Sequence, residues 1–243
     1  MRGTNATIDV IATSALRRAS DAPSFSADVR SLTGLEPRIL GGDEEGTFSF
    51  LGATYGAPSD ARVGVLDVGG GSTELAVGAR ASIERTISLE IGAVRLSERH
   101  PALLGKAALD PAAVASLERA ARADARAILA PLADFATFAE LLAVGGTVFT
   151  AAAMCSGDPR RDGVPIDCAQ RTRLIADLLA RDLLGRRTLA HIRPQRADIL
   201  PAGLIVVDEA CAILGIDTLR VSHADLLAGF LRSDEYRAAH LPI

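Results

Sequence analysis

The segment Asp67-Val68-Gly69-Gly70-Gly71-Ser72-Thr73-Glu74 carries the residue types of an anion site with a cation beside it. Three successive glycines admit φ > 0 and let backbone N–H groups converge on a phosphate, at Gly69, Gly70, Gly71, Ser72 and Thr73. The carboxylates of Asp67 and Glu74 end the two arms of the turn and can face one another across it. They are hard oxygen ligands suited to Mg²⁺, which is held through one or two carboxylates, waters and the substrate's own phosphate oxygens. A P-loop is excluded because no lysine is present, and a dinucleotide fingerprint because Glu74 stands where its third glycine belongs. The same eight residues also fit a plain glycine-rich β-turn, and the acid pair is what favours the chemical reading.

Other candidates are less specific. Glu44 and Glu45 are adjacent on a predicted helix and point about 100° apart, so at most one faces a cleft. Both also suit a helix's first turn, where the macrodipole favours acids. Arg17 and Arg18 fit either a solvated helix face or an arginine clamp on phosphoryl oxygens. Gly145-Gly146-Thr147 fits either a nucleotide-approach turn or a tight strand-to-helix connection. Cys155, Cys168 and Cys211 form no C-x-x-C pair and suit a reducing cytoplasm rather than a disulfide framework or zinc site. His100, His191, His223 and His240 have no metal-ligand spacing.

The elements that would position these groups can be read from period and punctuation. Asp9 to Thr13 predicts a short strand, Ser14 to Ala19 a helix interrupted by Pro23, and Phe25 to Leu32 a second helix stopped by Gly34. A strand at Arg38 to Leu40 precedes a helix opened by Gly41-Gly42, with Asp43 placed to cap it. Gly56, Pro58, Ser59 and Asp60 mark a boundary between two lobes, 1–58 and 62–243. Beyond it, Val63 to Val68, Thr73 to Gly78 and Ser82 to Leu89 predict a three-stranded meander. Then come a helix begun by Asp110-Pro111, a buried strand at Leu141 to Val144, and a helix over Val148 to Met154. A helix through Leu174 to Leu183, another over Ile199 to Leu214, a strand at Thr218 to Ser222 and a final helix over Asp225 to Tyr236 follow. The order is that of a mixed-sheet α/β lobe.

Composition limits the partners. The chain has 243 residues, 49% of them hydrophobic and 23% charged, which is the profile of an ordinary globular protein. A net charge of −4 gives no basic footprint for a nucleic acid, and 4% aromatic residues leave little for base stacking. The amino terminus does not read as a secretory signal. Leu141 to Met154, the longest charge-free apolar stretch, falls short of the ~20 residues that cross a bilayer. A cytoplasmic protein with no nucleic-acid or membrane partner is expected.

Several motifs together resemble the exopolyphosphatase and guanosine pentaphosphate phosphatase family of the actin-like ATPase superfamily. They are Ala12-Thr13-Ser14-Ala15-Leu16-Arg17, Gly41-Gly42-Asp43-Glu44-Glu45-Gly46, Asp67 to Glu74, Gly92-Ala93-Val94-Arg95-Leu96, and Arg196-Ala197-Asp198-Ile199-Leu200-Pro201-Ala202-Gly203. The resemblance implies a two-lobe α/β, ribonuclease H-like fold. It also implies Mg²⁺-assisted hydrolysis of the terminal phosphoanhydride bond of inorganic polyphosphate or guanosine pentaphosphate. Glu45 would position the attacking water, and Arg17 would contact phosphate. Glu45's place in a helix's first turn predicts an ordinary pKa and the role of an aligner more than a base. Two departures stand out. The family's initial Asp-x-Gly-Ser/Thr-Asn-Ser loop has only Gly3-Thr4-Asn5 as a possible tail, so the first lobe reads as truncated. Leu226-Leu227-Ala228-Gly229 replaces Leu-Arg-Glu-Gly near the end. A catalytically weak phosphate-binding or regulatory protein is the alternative reading, and two-lobed relatives make a homodimer an expectation.

Overall fold

The computed structural model describes residues 8–55, 61–79, 82–135 and 138–233. The boundary turn expected at Gly56 to Asp60, the Gly3-Thr4-Asn5 segment and the last residues of the expected final helix lie outside them. The elements in chain order begin with β1 (Val10–Ala12), α1 (Ser14–Arg18), α2 (Ala22–Thr33), β2 (Pro37–Ile39) and α3 (Gly42–Ala53). The meander β3 (Arg62–Val68), β4 (Thr73–Ala79) and β5 (Ser82–Leu89) follows. Next come α4 (Ala93–Arg99), α5 (Pro111–Leu129), β6 (Glu140–Val144), α6 (Gly146–Ser156), β7 (Pro165–Ile166) and α7 (Cys168–Leu179). The last elements are α8 (Leu183–Arg187), α9 (Leu200–Leu214), β8 (Leu219–Val221) and α10 (Leu226–Phe230).

Six strands form one mixed sheet in the order β5-β4-β3-β6-β8-β7, and β1 and β2 form a separate parallel pair. The meander is antiparallel, and β6 then runs parallel to β3, which brings the end of β6 beside Asp67. In a pleated pair the residues directly opposite share a face, so Val65 with Ala76 and Asp67 with Glu74 look to one side, Leu66 with Leu75 to the other. The second side builds the main core against α5, α7 and α9. Of these, α9 is apolar nearly all round and buried along most of its length, as a helix with no solvent stripe must be. Its two acids, Asp208 and Glu209, are paired with Arg122, Arg126 and Arg171.

The first side of the sheet is covered by α3, whose Phe50 packs with Val65, Ala76 and Val144. Behind it lies α10. A Cβ on Gly52 would stand 2.1 Å from the Asp225 carbonyl oxygen, and one on Gly229 would stand 1.8 Å from that of Phe48, so the two helices touch backbone to backbone. Phe48 and Phe230 meet edge to face at 5.4 Å. The helix expected to belong to the first lobe therefore lies directly on the large sheet.

Several local expectations are corrected. Pro23 does not interrupt a helix; it occupies the first turn of α2, where its missing N–H costs nothing. Asp43 does not cap α3. Gly41 is the N-cap, and the Glu44 carboxylate accepts its N–H at 2.7 Å, while Asp43 accepts from the Thr86 hydroxyl. The helix drawn through Leu183 is two helices, the second capped by Asp182, whose Oδ1 accepts from Gly185 N at 2.8 Å. The final helix ends at Phe230 within the described residues, with Asp225 as its cap. The two-residue strand β7 is too short to leave a periodic signal.

Candidate active site

The site forms where the β3–β4 turn meets α3 and α1. None of Gly69, Gly70 and Gly71 adopts a left-handed φ, so the expected reason for three glycines is corrected. Their value is close approach. A Cβ on Gly71 would lie 2.7 Å from Ser14 Oγ and one on Gly70 3.2 Å from a Val94 methyl, so α1 and α4 close in on a bare backbone. The Gly69 carbonyl accepts Ala93 N–H at 2.9 Å and the Gly70 carbonyl accepts Val94 N–H at 2.9 Å, which commits the carbonyls of the turn to α4. The amides of Gly70 and Gly71 have no backbone acceptor among the described residues. Thr73, grouped with the phosphate-binding turn in the sequence, faces away: it is fully buried and its hydroxyl donates to the Ile91 carbonyl at 2.6 Å. It anchors the turn, because period 2 puts it on the face opposite Glu74.

Asp67 and Glu74 are a directly opposed cross-strand pair. Ser49 Oγ donates to Asp67 Oδ2 at 2.6 Å, and Ser88 Oγ donates to Glu74 Oε1 at 2.6 Å. Glu74 is 2% exposed, and burial, reinforced by the Asp67 and Glu45 charges, pushes its pKa up to about 8 against the help of the Ser88 and Ser72 hydroxyls. Burial also raises the Asp67 carboxyl, with the Ser49 hydroxyl opposing and the Asp225 charge adding to it.

The adjacent pair Glu44 and Glu45 is split by its surroundings. Glu44 is held below the usual carboxylate range by the Gly41 N–H and the Arg38 guanidinium. Glu45 turns inward, is 5% exposed, and has a raised pKa: burial raises it, Arg17 opposes, the Asp67 charge adds, and the Ser14 N–H opposes. The ordinary pKa expected from its place in the first turn is thus corrected, because α3 presses that turn against β4 and β5, and the lost water outweighs the macrodipole. Gly46 makes this possible, since its Cβ would already touch the Glu74 side chain at 3.6 Å. Arg17 Nη1 donates to both Glu45 Oε1 and the Leu40 carbonyl, the latter at 2.7 Å. Arg18, one residue on, pairs instead with Glu90 at 3.1 Å.

Gly145-Gly146-Thr147 is the tight connection from β6 to α6, and Gly145, at φ 101°, lies against Asp67: its Cβ would come within 3.0 Å of Oδ1. Arg196 lies over Gly146. Ser14, Ser49, Ser88 and Arg95 were not singled out by residue type. Ser49 had a signal, standing four residues after Glu45 and hence on the same helix face, and so had Ser14, three residues before Arg17.

A divalent cation suits the acid pair on its chemistry. Neither Asp67 nor Glu74 has a cationic partner among the described residues, and each is satisfied only by hydroxyls. Those residues hold no cluster of three metal-ligating side chains, so an ion here would have two carboxylates from the chain and its other ligands from water or substrate. For the metal-free chain the sign of the linkage is clear. A carboxyl whose folded pKa lies above its unfolded value stabilises fully below the unfolded pKa and loses that contribution as pH rises. Unfolding free energy should therefore fall between pH 4.5 and about 8 from Glu74, by up to ~1.4 kcal/mol per pH unit. Glu74→Gln should flatten that decline in urea melts recorded from pH 5 to 8; an unaltered slope would show that Glu74 ionises freely.

A meander joined to parallel strands, with an acid-flanked glycine turn at the strand ends, is an actin-like ATPase arrangement, and solved structures of that fold align along nearly the whole chain. The Ppx/GppA family member of Aquifex aeolicus is 25% identical with a TM-score of 0.76, over 96% of this chain and 75% of that one. An exopolyphosphatase-like protein is 25% identical with a TM-score of 0.82, over 95% and 78%. Residues 3–238 match the Ppx/GppA phosphatase family, and the chain belongs to it. Among relatives, Exopolyphosphatase 2 of Mycobacterium tuberculosis is 33% identical over 93% of this chain and 74% of its own length. The guanosine-5'-triphosphate,3'-diphosphate pyrophosphatase of Aeromonas salmonicida is 26% identical over 93% and 43%. Among the described residues no helix is long and apolar enough to cross a membrane.

Proposed function

We propose that this chain hydrolyses the terminal phosphoanhydride bond of inorganic polyphosphate or of guanosine pentaphosphate and releases orthophosphate. The observation that carries the reading is Glu45: a carboxylate 5% exposed, with a raised pKa, held by Arg17 and set within electrostatic reach of Asp67 and Glu74. Phosphoryl transfer asks little covalent chemistry of a protein; positioning and charge neutralisation supply most of the catalysis. Glu45 orients a water for in-line attack on the terminal phosphorus and takes its proton. The raised pKa makes it a better proton acceptor than an exposed glutamate, so its role extends beyond alignment.

Arg17 holds the Glu45 carboxylate and offers its remaining guanidinium donors to phosphoryl oxygens. The free amides of Gly70 and Gly71 receive the same oxygens, as an oxyanion-type cradle requires. Asp67 and Glu74 would hold Mg²⁺, with Ser49 and Ser88 orienting their carboxylates. When bound, the ion neutralises charge on the substrate's phosphoryl oxygens and on the departing chain end.

The test is orthophosphate release from long-chain polyphosphate and from guanosine pentaphosphate, measured side by side with Mg²⁺ and with EDTA. Release from one of the two with Mg²⁺, falling to background when EDTA removes the metal, is the expected result. No release from either substrate in the presence of Mg²⁺ overturns the reading.

A further inference from the structure

Among the described residues, two buried side-chain atoms have no hydrogen-bond partner: the hydroxyl of Ser14 and Nε of Arg95. Both lie at the glycine turn, Ser14 Oγ at 2.7 Å and Arg95 Nε at 3.7 Å from the place a Cβ on Gly71 would take. Ser14 is 4% exposed. An unmade hydrogen bond on a buried donor is costly, and two of them aimed at one spot point to a ligand that supplies acceptors. One donor belongs to a guanidinium and the other is a hydroxyl, with unspent backbone amides beside them, so the acceptor chemistry is that of an oxyanion.

The surroundings hold this pair in place. Glu90 forms ion pairs with Arg95 (Nη2, 2.9 Å) and Arg18 (Nη1, 3.1 Å), tying α4 to α1 while leaving Nε of Arg95 free. Ser14 begins the same short helix that carries Arg17, and its N–H supports the Glu45 carboxylate. Arg17 spends one terminal nitrogen on Glu45 and the Leu40 carbonyl. That leaves Arg17 its other guanidinium nitrogens for the phosphoryl oxygens, and Arg95 stands at the same turn as a second cation.

We propose that Ser14 Oγ and Arg95 Nε form a second clamp on the substrate, binding oxygens of a phosphoryl group seated at Gly71, and that Arg95 is a substrate-positioning residue. This rests on the proposed hydrolase reading and adds to it which side chains fix the phosphoryl group.

The experiment combines calorimetric titration of inorganic orthophosphate with KM and kcat on polyphosphate, for the wild-type chain, Ser14→Ala, Arg95→Gln and Arg95→Lys. Ser14→Ala should weaken orthophosphate binding about tenfold and Arg95→Gln about tenfold or more. KM should rise in step while the pH profile of kcat stays in place, because Glu45 keeps its partners. Arg95→Lys keeps a cation for Glu90 but has no Nε donor, so it should fail to restore affinity; it also carries the test should Arg95→Gln not fold. Wild-type orthophosphate affinity and KM in folded Ser14→Ala and Arg95→Lys would overturn the clamp and leave the hydrolase reading standing. Orthophosphate binding that depends on Ser14 and Arg95 in a chain that cleaves neither substrate would keep the clamp and overturn the hydrolase.

Discussion

Glu45→Gln is expected to lower orthophosphate release from polyphosphate at least ~10³-fold, the upper part of what a positioned general base contributes. The glutamine keeps shape and burial but cannot take a proton. KM should change little, since the groups assigned to the phosphoryl oxygens are Arg17, the glycine-turn amides, Ser14 and Arg95, and the acid pair is assigned to Mg²⁺. The variant should also melt no lower than the wild-type chain near neutral pH. Burial already disfavours the Glu45 charge more than Arg17 and the Ser14 N–H favour it, so removing the charge relieves the fold. Loss of turnover with undiminished stability is the pattern of a group strained for function. Unchanged release would remove Glu45 from the role given to it. In the wild-type chain, turnover should rise with pH through the raised Glu45 pKa, because only the ionised carboxylate accepts the proton.

Arg17→Gln is the second large effect, expected at about 10³-fold in kcat, the lower end for an arginine on a transferring phosphoryl group. It should also displace the acidic limb of the pH profile to higher pH. Arg17 favours the ionised form of Glu45 through its hydrogen bond and its charge, so losing it lets burial raise that pKa further. Arg17→Lys should not restore activity: Nη1 alone serves the Leu40 carbonyl and Glu45, and a lysine ammonium placed there has no second nitrogen to offer the phosphoryl oxygens. A lower kcat with the limb unmoved would mean that Arg17 acts on substrate alone and not through Glu45.

Much of the site was legible in order and spacing. Two short runs around a glycine turn read as a hairpin, and equal arms place Asp67 opposite Glu74, which is the register found. The angular step between helical neighbours separates Glu44 from Glu45, and the structure sends one to Arg38 and buries the other. What was not legible depends on contacts between distant elements. The pKa of Glu45 follows from α3 lying on β4 and β5, which no local rule contains. The glycines are needed for the approach of Ser14 and Val94 from other helices, although their own dihedrals are ordinary. Thr73 is a different kind of miss, since strand alternation alone puts it on the far face from Glu74. Propensity points Pro23 to a break and Asp43 to a cap, and the chain uses each as the second residue of its helix, two positions past the cap.

The measurement that bears most directly on a buried acid readying water for a terminal phosphorus is hydrolysis of polyphosphate in ¹⁸O-enriched water, with mass analysis of both products. Attack at the terminal phosphorus puts one solvent oxygen into each released orthophosphate and leaves the shortened chain unlabelled, because the bridging oxygen departs with it. That distribution, lost in Glu45→Gln, is the expected result. Label in the shortened chain, or cleavage that yields internal fragments in place of orthophosphate, would contradict the account.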